Sequence, residues 1–189
     1  PAINSAATLH VIFFIYFTSS QVFSAGPFKG PAGYGDAFPG TRYKHLALDF
    51  MTNFGEAALA TGDGVVVEAH EVDTRDELPV GHRMQPYGKY VEIKHGSFFS
   101  GFISRYGHLD TLSVKKGDIV KRGQVIGTIG TTGTQGPMRN IPVFIPHVHL
   151  EFFRGADNRF NPMEYVVGCF NANTTYTEEQ HTYPVNCVE

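Results

Sequence analysis

From Val114 to Gly136, glycine falls at positions 117, 123, 127, 130, 133 and 136, so no uninterrupted piece is longer than five residues. A helix needs ten or more residues at a 3.6-residue period. Short apolar pieces bounded by glycine turns read instead as strands. Two halves of the stretch, "VKKGDIV" and "VKRGQVIG", share one Val-Lys-basic-Gly frame, as expected for consecutive hairpin arms.

The remaining segments agree. "GDGVVVEAH" (62–70) is a turn followed by a Val-rich strand, and "YGKYVEIKHG" (87–96) alternates Tyr90, Glu92 and Lys94 with Val91, Ile93 and His95. "FFSGFISRYGHLD" (98–110) is a further strand whose even register carries Phe98, Phe102, Tyr106 and His108 on one face. The polar stretch 71–86 reads as a loop insertion. "NPMEYV" (161–166) starts a short helix, with Asn161 as cap and Pro162 in its first turn. The expected fold is mainly β, a compact antiparallel, barrel-like sheet assembly with few short helices.

With 189 residues, 42% hydrophobic and 17% charged, the chain supports one globular core. Its net charge of −3 provides no electrostatic footprint for nucleic acid. Residues 1–25 differ in kind. The apolar run from Val11 to Phe17 is too short for a membrane span but suits the hydrophobic region of a secretory leader or anchor, with cleavage expected after Ser24. Residues 26–41 are a Gly/Pro-rich lead-in, 42–168 the domain, and 169–189 a C-terminal tail. Cys169 and Cys187 are either two free thiols or a disulfide, which would close a loop of about 19 residues worth roughly 3 kcal/mol. A disulfide fits export. Asn173-Thr174-Thr175 has the pattern of a glycosylation sequon.

The chemistry concentrates in two places. In "FIPHVHLEFF" (144–153), His147 and His149 are two apart on a strand, so both point to one side about 6.5 Å apart. In "KHLALDF" (44–50), His45 and Asp49 are four apart; on a straight strand they would be about 13 Å apart, so the chain must bend for them to meet. His108 is a fifth candidate. A catalytic zinc takes three ligands from His, Asp, Glu or Cys and keeps an open position for water. Five polar groups leave two for proton transfer. Spacing alone leaves a metal site and separate structural roles both open.

Taken together and in order, "HLALD", "GDGVVVEA", "YGKYVEIKHG", "RYGHLD", the glycine-punctuated stretch and "HVHLEF" resemble the lysostaphin/LytM-type zinc metallopeptidases, over roughly residues 42–165. The resemblance implies zinc on His45, Asp49 and His149, and catalytic roles for His108 and His147. It implies a secreted or periplasmic enzyme acting on peptide cross-links of peptidoglycan. Ala47 stands where that family often has glycine, and "PMRNIPVFIP" (137–146) lengthens the loop before the His-x-His strand. Both that loop and the 71–86 insertion are expected to reshape the substrate groove.

Other readings compete. One is a catalytically silent relative that binds wall or regulates an amidase. Another is a non-haem iron oxygenase, which also uses two histidines and a carboxylate. A third, a lipoyl-type carrier domain, lacks the exposed Met-Lys turn that would carry its modification. His70, His82, His95 and His181 are expected to be structural or surface residues, and Lys115, Lys116, Lys121 and Arg122 a solvated hairpin edge.

Overall fold

The computed structural model describes residues 33–36, 44–96, 101–135, 142–155 and 158–187. The leader-like run, most of the lead-in, Phe98, Gly136 and residues 137–141 of the long loop lie outside them. The described strands are β1 (Leu48–Met51), β2 (Ala57–Leu59), β3 (Gly64–His70), β4 (Lys89–His95), β5 (Phe102–Leu112), β6 (Ile119–Val120), β7 (Val125–Ile129), β8 (His147–Arg154) and β9 (Asn158–Phe160). All pair antiparallel in one sheet with the path β1-β8-β5-β4-β3-β6; β7 pairs with β5 and β2, and β9 with β8. The fold is mainly β and antiparallel with few short helices, as expected, and the sheet is not closed.

Strand alternation decides what is core. On β8, Val148, Leu150 and Phe152 are fully buried and pack with Phe50, Tyr106, Ile93 and Ile126. Each such side chain contributes about 1.5–3 kcal/mol by leaving water. The other face of β8 carries His147, His149 and Glu151.

The 71–86 segment is more ordered than a loop. It holds helix α1 (Thr74–Glu77), capped by the Asp73 carboxylate, and its end runs into a 3-10 turn, Gln85–Tyr87. The predicted helix at 161 is a single 3-10 turn, Pro162–Glu164, with the Asn161 side chain accepting from the Met163 N–H.

Cys169 and Cys187 are joined, with Cα atoms 5.9 Å apart. The tail they close docks on the sheet: Val166 bridges His181, and Val185 bridges Ala58. Arg122 is therefore not a solvated edge residue. Its guanidinium donates to the carbonyls of Thr61, Thr177 and Gln180 and lies 4.6 Å from the Tyr176 ring, tying the tail to the β6–β7 turn. His181, expected to be a structural or surface residue of the polar tail, is structural and only 1% exposed. It belongs to a buried polar chain in which Thr61 links it to Tyr106, Ser104 and His95.

A candidate metal centre where three strands meet

The β1–β8 ladder sets Asp49 directly opposite His149, and the β5–β8 ladder sets Gly107 opposite His149 from the other side. His45 precedes β1. The chain bends between it and Leu48, as the four-residue spacing requires, and the His45 backbone is held by Gly35 and Asp36. Three donor atoms then converge. His45 Nε2 is 3.3 Å from Asp49 Oδ1, His149 Nδ1 is 3.0 Å from the same oxygen, and the two nitrogens are 3.2 Å apart. A tetrahedral zinc with bonds of about 2.1 Å spaces its ligand atoms about 3.4 Å apart, so this triangle matches one face of such a site. Two nitrogens and one oxygen are also a donor set that zinc accepts.

His108 and His147 complete the cluster. Their rings are 4.6 Å apart, and His108 is 5.4 Å from the His149 ring. Donor atoms of His108, His147 and His149 also lie within 4.8 Å of one another. Each of the first two uses Nδ1 on a backbone carbonyl: His108 on Thr132 O at 2.7 Å, His147 on Ile145 O at 2.8 Å. A carbonyl only accepts, so both Nδ1 atoms carry the proton. The neutral rings therefore turn a basic Nε2 toward the cluster, and that of His147 lies 3.7 Å from Asp49 Oδ1.

His108 reaches this face through a defect in its strand. A regular β5 would keep it with Tyr106, which is fully buried in the core. Instead Gly107 and His108 together oppose Tyr90, a bulge, and His108 adopts φ 62°. Among the described residues it is the sole non-glycine residue with positive φ. Such a conformation costs about 1–3 kcal/mol and persists where packing over-determines it. Here it turns the imidazole from the core side to the side of His147 and His149.

The electrostatics follow from burial and pairing. Burial alone would raise the Asp49 carboxyl, but hydrogen bonds with His149 and His45 hold it well below the usual carboxylate range. Burial pulls the His149 imidazole down, yet contacts with Asp49 and Glu151 outweigh it and carry it up to about 9. His108 and His147 are both lowered, chiefly by burial, so both favour the neutral form.

A layer behind the cluster went unread in the sequence. Glu151 Oε1 faces His149 Nε2 at 3.5 Å and accepts from the Tyr87 hydroxyl at 2.8 Å and Arg159 Nε at 3.2 Å. Its second oxygen accepts from Arg105, which also binds Glu92. These cations and His149 overcome the effect of burial and bring Glu151 down to about 2. Glu151 shares strand parity with His147 and His149, the one signal that could have flagged it.

The family model for peptidase family M23 matches residues 43–162, which include all five clustered residues. The chain belongs to peptidase family M23. Among relatives of this M23 chain, the peptidoglycan DD-endopeptidase ShyB of Vibrio cholerae serotype O1 is 37% identical over 108 residues, 57% of this chain and 20% of ShyB. The murein hydrolase activator NlpD of Escherichia coli K12 is 30% identical over 131 residues, 69% of this chain and 28% of NlpD. The matched part of the chain thus spans only 20% to 28% of these proteins. The catalytic domain of lysostaphin from Staphylococcus simulans superposes with TM-score 0.53 at 26% identity, covering 70% of this chain and 86% of that domain.

Proposed function

We propose that this M23 chain is a zinc-dependent endopeptidase that hydrolyses peptide cross-links of bacterial peptidoglycan. One observation carries the reading: the His45, Asp49 and His149 donors form a triangle of zinc-like size, and two neutral histidines present Nε2 beside it. His45 Nε2, Asp49 Oδ1 and His149 Nδ1 would hold the ion. Bound there, zinc supplies Lewis acidity, bringing the pKa of a water toward neutrality and polarising a peptide carbonyl.

The chain's own groups then manage protons. His108 and His147 stand ready at Nε2 to take the proton of the attacking water and to pass one to the departing amine as the C–N bond breaks. Whichever ring is protonated also offers an N–H to the tetrahedral oxygen. Their burial keeps them neutral, and so able to accept, at physiological pH. Glu151, fixed by Tyr87, Arg105 and Arg159, faces the far nitrogen of His149 and favours the tautomer whose Nδ1 lone pair points at the triangle.

The relatives' names support a peptidoglycan substrate, and the ShyB name supports cleavage of it. The disulfide and the leader-like run support a secreted or envelope location. Among the described residues no helix is long and apolar enough to cross a membrane.

The likeness to NlpD favours a second reading, a regulator that stimulates another hydrolase without cutting. The complete set of five histidine and aspartate groups supports the enzyme. Incubation of purified peptidoglycan with the zinc-loaded protein, with and without chelator, separates the two. The enzyme releases fragments with new amino and carboxyl ends, and chelation stops it. A regulator releases none alone and does so only with a partner hydrolase.

A further inference from the structure

His108 donates through Nδ1 to the carbonyl of Thr132 at 2.7 Å. That carbonyl belongs to the same planar peptide group as the Gly133 N–H, and the Gly133 N–H donates to Asp73 Oδ1 at 2.9 Å. A carboxylate on one side and an imidazole on the other therefore grip a single peptide unit. Asp73 lies in the 71–86 segment, far from His108 in sequence, and is 9% exposed.

The peptide has little freedom to turn away. Gly133 has φ 82°, and a Cβ there would lie 2.1 Å from the Pro86 carbonyl oxygen. Across the same contact, a Cβ on Gly88 would lie 2.2 Å from Thr132 Oγ1. Thr132 Oγ1 in turn accepts from the Lys89 N–H and donates to the Leu109 carbonyl. The end of the inserted segment and the 132–133 turn thus interlock through backbone approaches that only glycine permits.

We propose that Asp73 is a positioning residue that acts on His108 through the Thr132–Gly133 peptide; the proposal rests on the peptidase reading above. A charge-assisted hydrogen bond to a peptide N–H polarises the group and strengthens its carbonyl as an acceptor. The stronger acceptor holds the His108 proton on Nδ1 and keeps Nε2 basic and aimed at the cluster. This also accounts for how a left-handed histidine is retained in a strand: the bulge is held at its tip by a charge from another segment. The inserted segment, on this account, serves the chemistry.

A plainer role competes, because Asp73 also caps helix α1 by accepting from the Arg75 N–H and pairs with the Arg75 guanidinium. Two capping-competent replacements separate the roles. Asp73→Ser caps the helix but lacks charge and reach, whereas Asp73→Asn caps it and keeps an Oδ1 acceptor. Expected for Asp73→Ser is a fall in kcat of about 10- to 100-fold, the range for lost outer hydrogen-bond partners, with KM and zinc affinity unchanged. Asp73→Asn, which keeps the acceptor without the charge, should recover part of that loss. In the metal-free protein, 15N spectra of His108 should show a well-defined Nδ1–H tautomer in the parent, mixed tautomers in Asp73→Ser and an intermediate Nδ1–H population in Asp73→Asn. Parent-like kcat and spectra in Asp73→Ser would overturn the proposal. So would equal damage in both variants, or a matching loss of zinc affinity. A parent that binds zinc but digests nothing would instead sink the peptidase reading, while the spectra would still decide the role of Asp73.

Discussion

His149 Nδ1 and Asp49 Oδ1 lie 3.0 Å apart across the β1–β8 ladder, so a cross-strand pair in register, rather than a flexible loop, sets the two late-converging donors. Strand register fixes such pairs to within tenths of an ångström, which is what a metal centre requires. The catalytic candidates, by contrast, depend on a bulge at His108 and on the Ile145 carbonyl that orients His147.

Replacing His108 by alanine leaves the donor triangle intact. Zinc content should stay at the parent level while kcat falls by about 10²- to 10⁴-fold, as for a lost general acid–base group. His108→Gly should lose as much activity, yet be more stable than His108→Ala by about 1 kcal/mol, because glycine tolerates φ 62° without strain. Urea unfolding of the two variants checks this; equal midpoints would mean the backbone there is unstrained.

Glu151→Ala removes a buried acceptor shared by Tyr87, Arg105 and Arg159. Arg105, only 6% exposed, is left with Glu92 as its carboxylate partner. The expected cost is about 3 kcal/mol of stability, near the low end for breaking a buried ion pair. Zinc affinity should drop about 10- to 100-fold, since His149 loses the partner of its far nitrogen. Competition titration with a chromophoric chelator reads the second effect, and an unaltered affinity would show that Glu151 serves stability alone.

Two histidines far from the site predict acid lability. Burial lowers His95 to about 4, partly offset by its hydrogen bond to the Asp63 carbonyl, and burial with neighbouring His95 and Arg122 lowers His181 to about 2. In the unfolded chain both titrate near 6.5. The unfolded state therefore binds more protons below that pH. The stability these groups contribute is complete above about pH 6.5 and declines as pH falls, by up to about 1.4 kcal/mol per unit for each. Denaturant unfolding of the metal-free protein from pH 7.5 to 4.5 measures the slope, and His181→Gln should flatten it. An identical slope in that variant would remove His181 from the account.

Opening the Cys169–Cys187 bridge should cost roughly 3 kcal/mol, the loop-closure value for about 19 residues. The tail meets β2, Thr61 and the β6–β7 turn, and packs on the core face through Tyr183 against Phe50 and His181 against Phe102 and Phe152, whereas Asp49, His108, His147 and His149 face the other side of those strands and His45 precedes β1. A Cys169→Ser/Cys187→Ser double variant should accordingly melt lower but retain zinc. Loss of zinc at a temperature where the variant is folded would show that the tail shapes the centre.

How far the sequence alone reached follows from which interactions are local. Glycine spacing and period-two alternation are local, so the β class and the strands within 62–70, 87–96 and 144–153 were legible. The bend between His45 and Asp49 was legible because a straight strand could not unite them. The even register assigned to β5 failed at His108, because a bulge depends on what the neighbouring strands require. Arg122 was misread as a surface group because its partners, the Thr61 and tail carbonyls, are some 55 to 61 residues away, and the buried place of His181 rests on Thr61, 120 residues away. Glu151, Arg105 and Tyr87 form a network that exists only after β5 and β8 pair.

Elemental analysis of the purified protein after zinc loading and desalting is the most direct trial of the donor triangle. One zinc per chain is expected in the parent and none in His149→Ala, although that variant should remain folded. Stoichiometric zinc in His149→Ala, or iron in preference to zinc in the parent, would contradict the account.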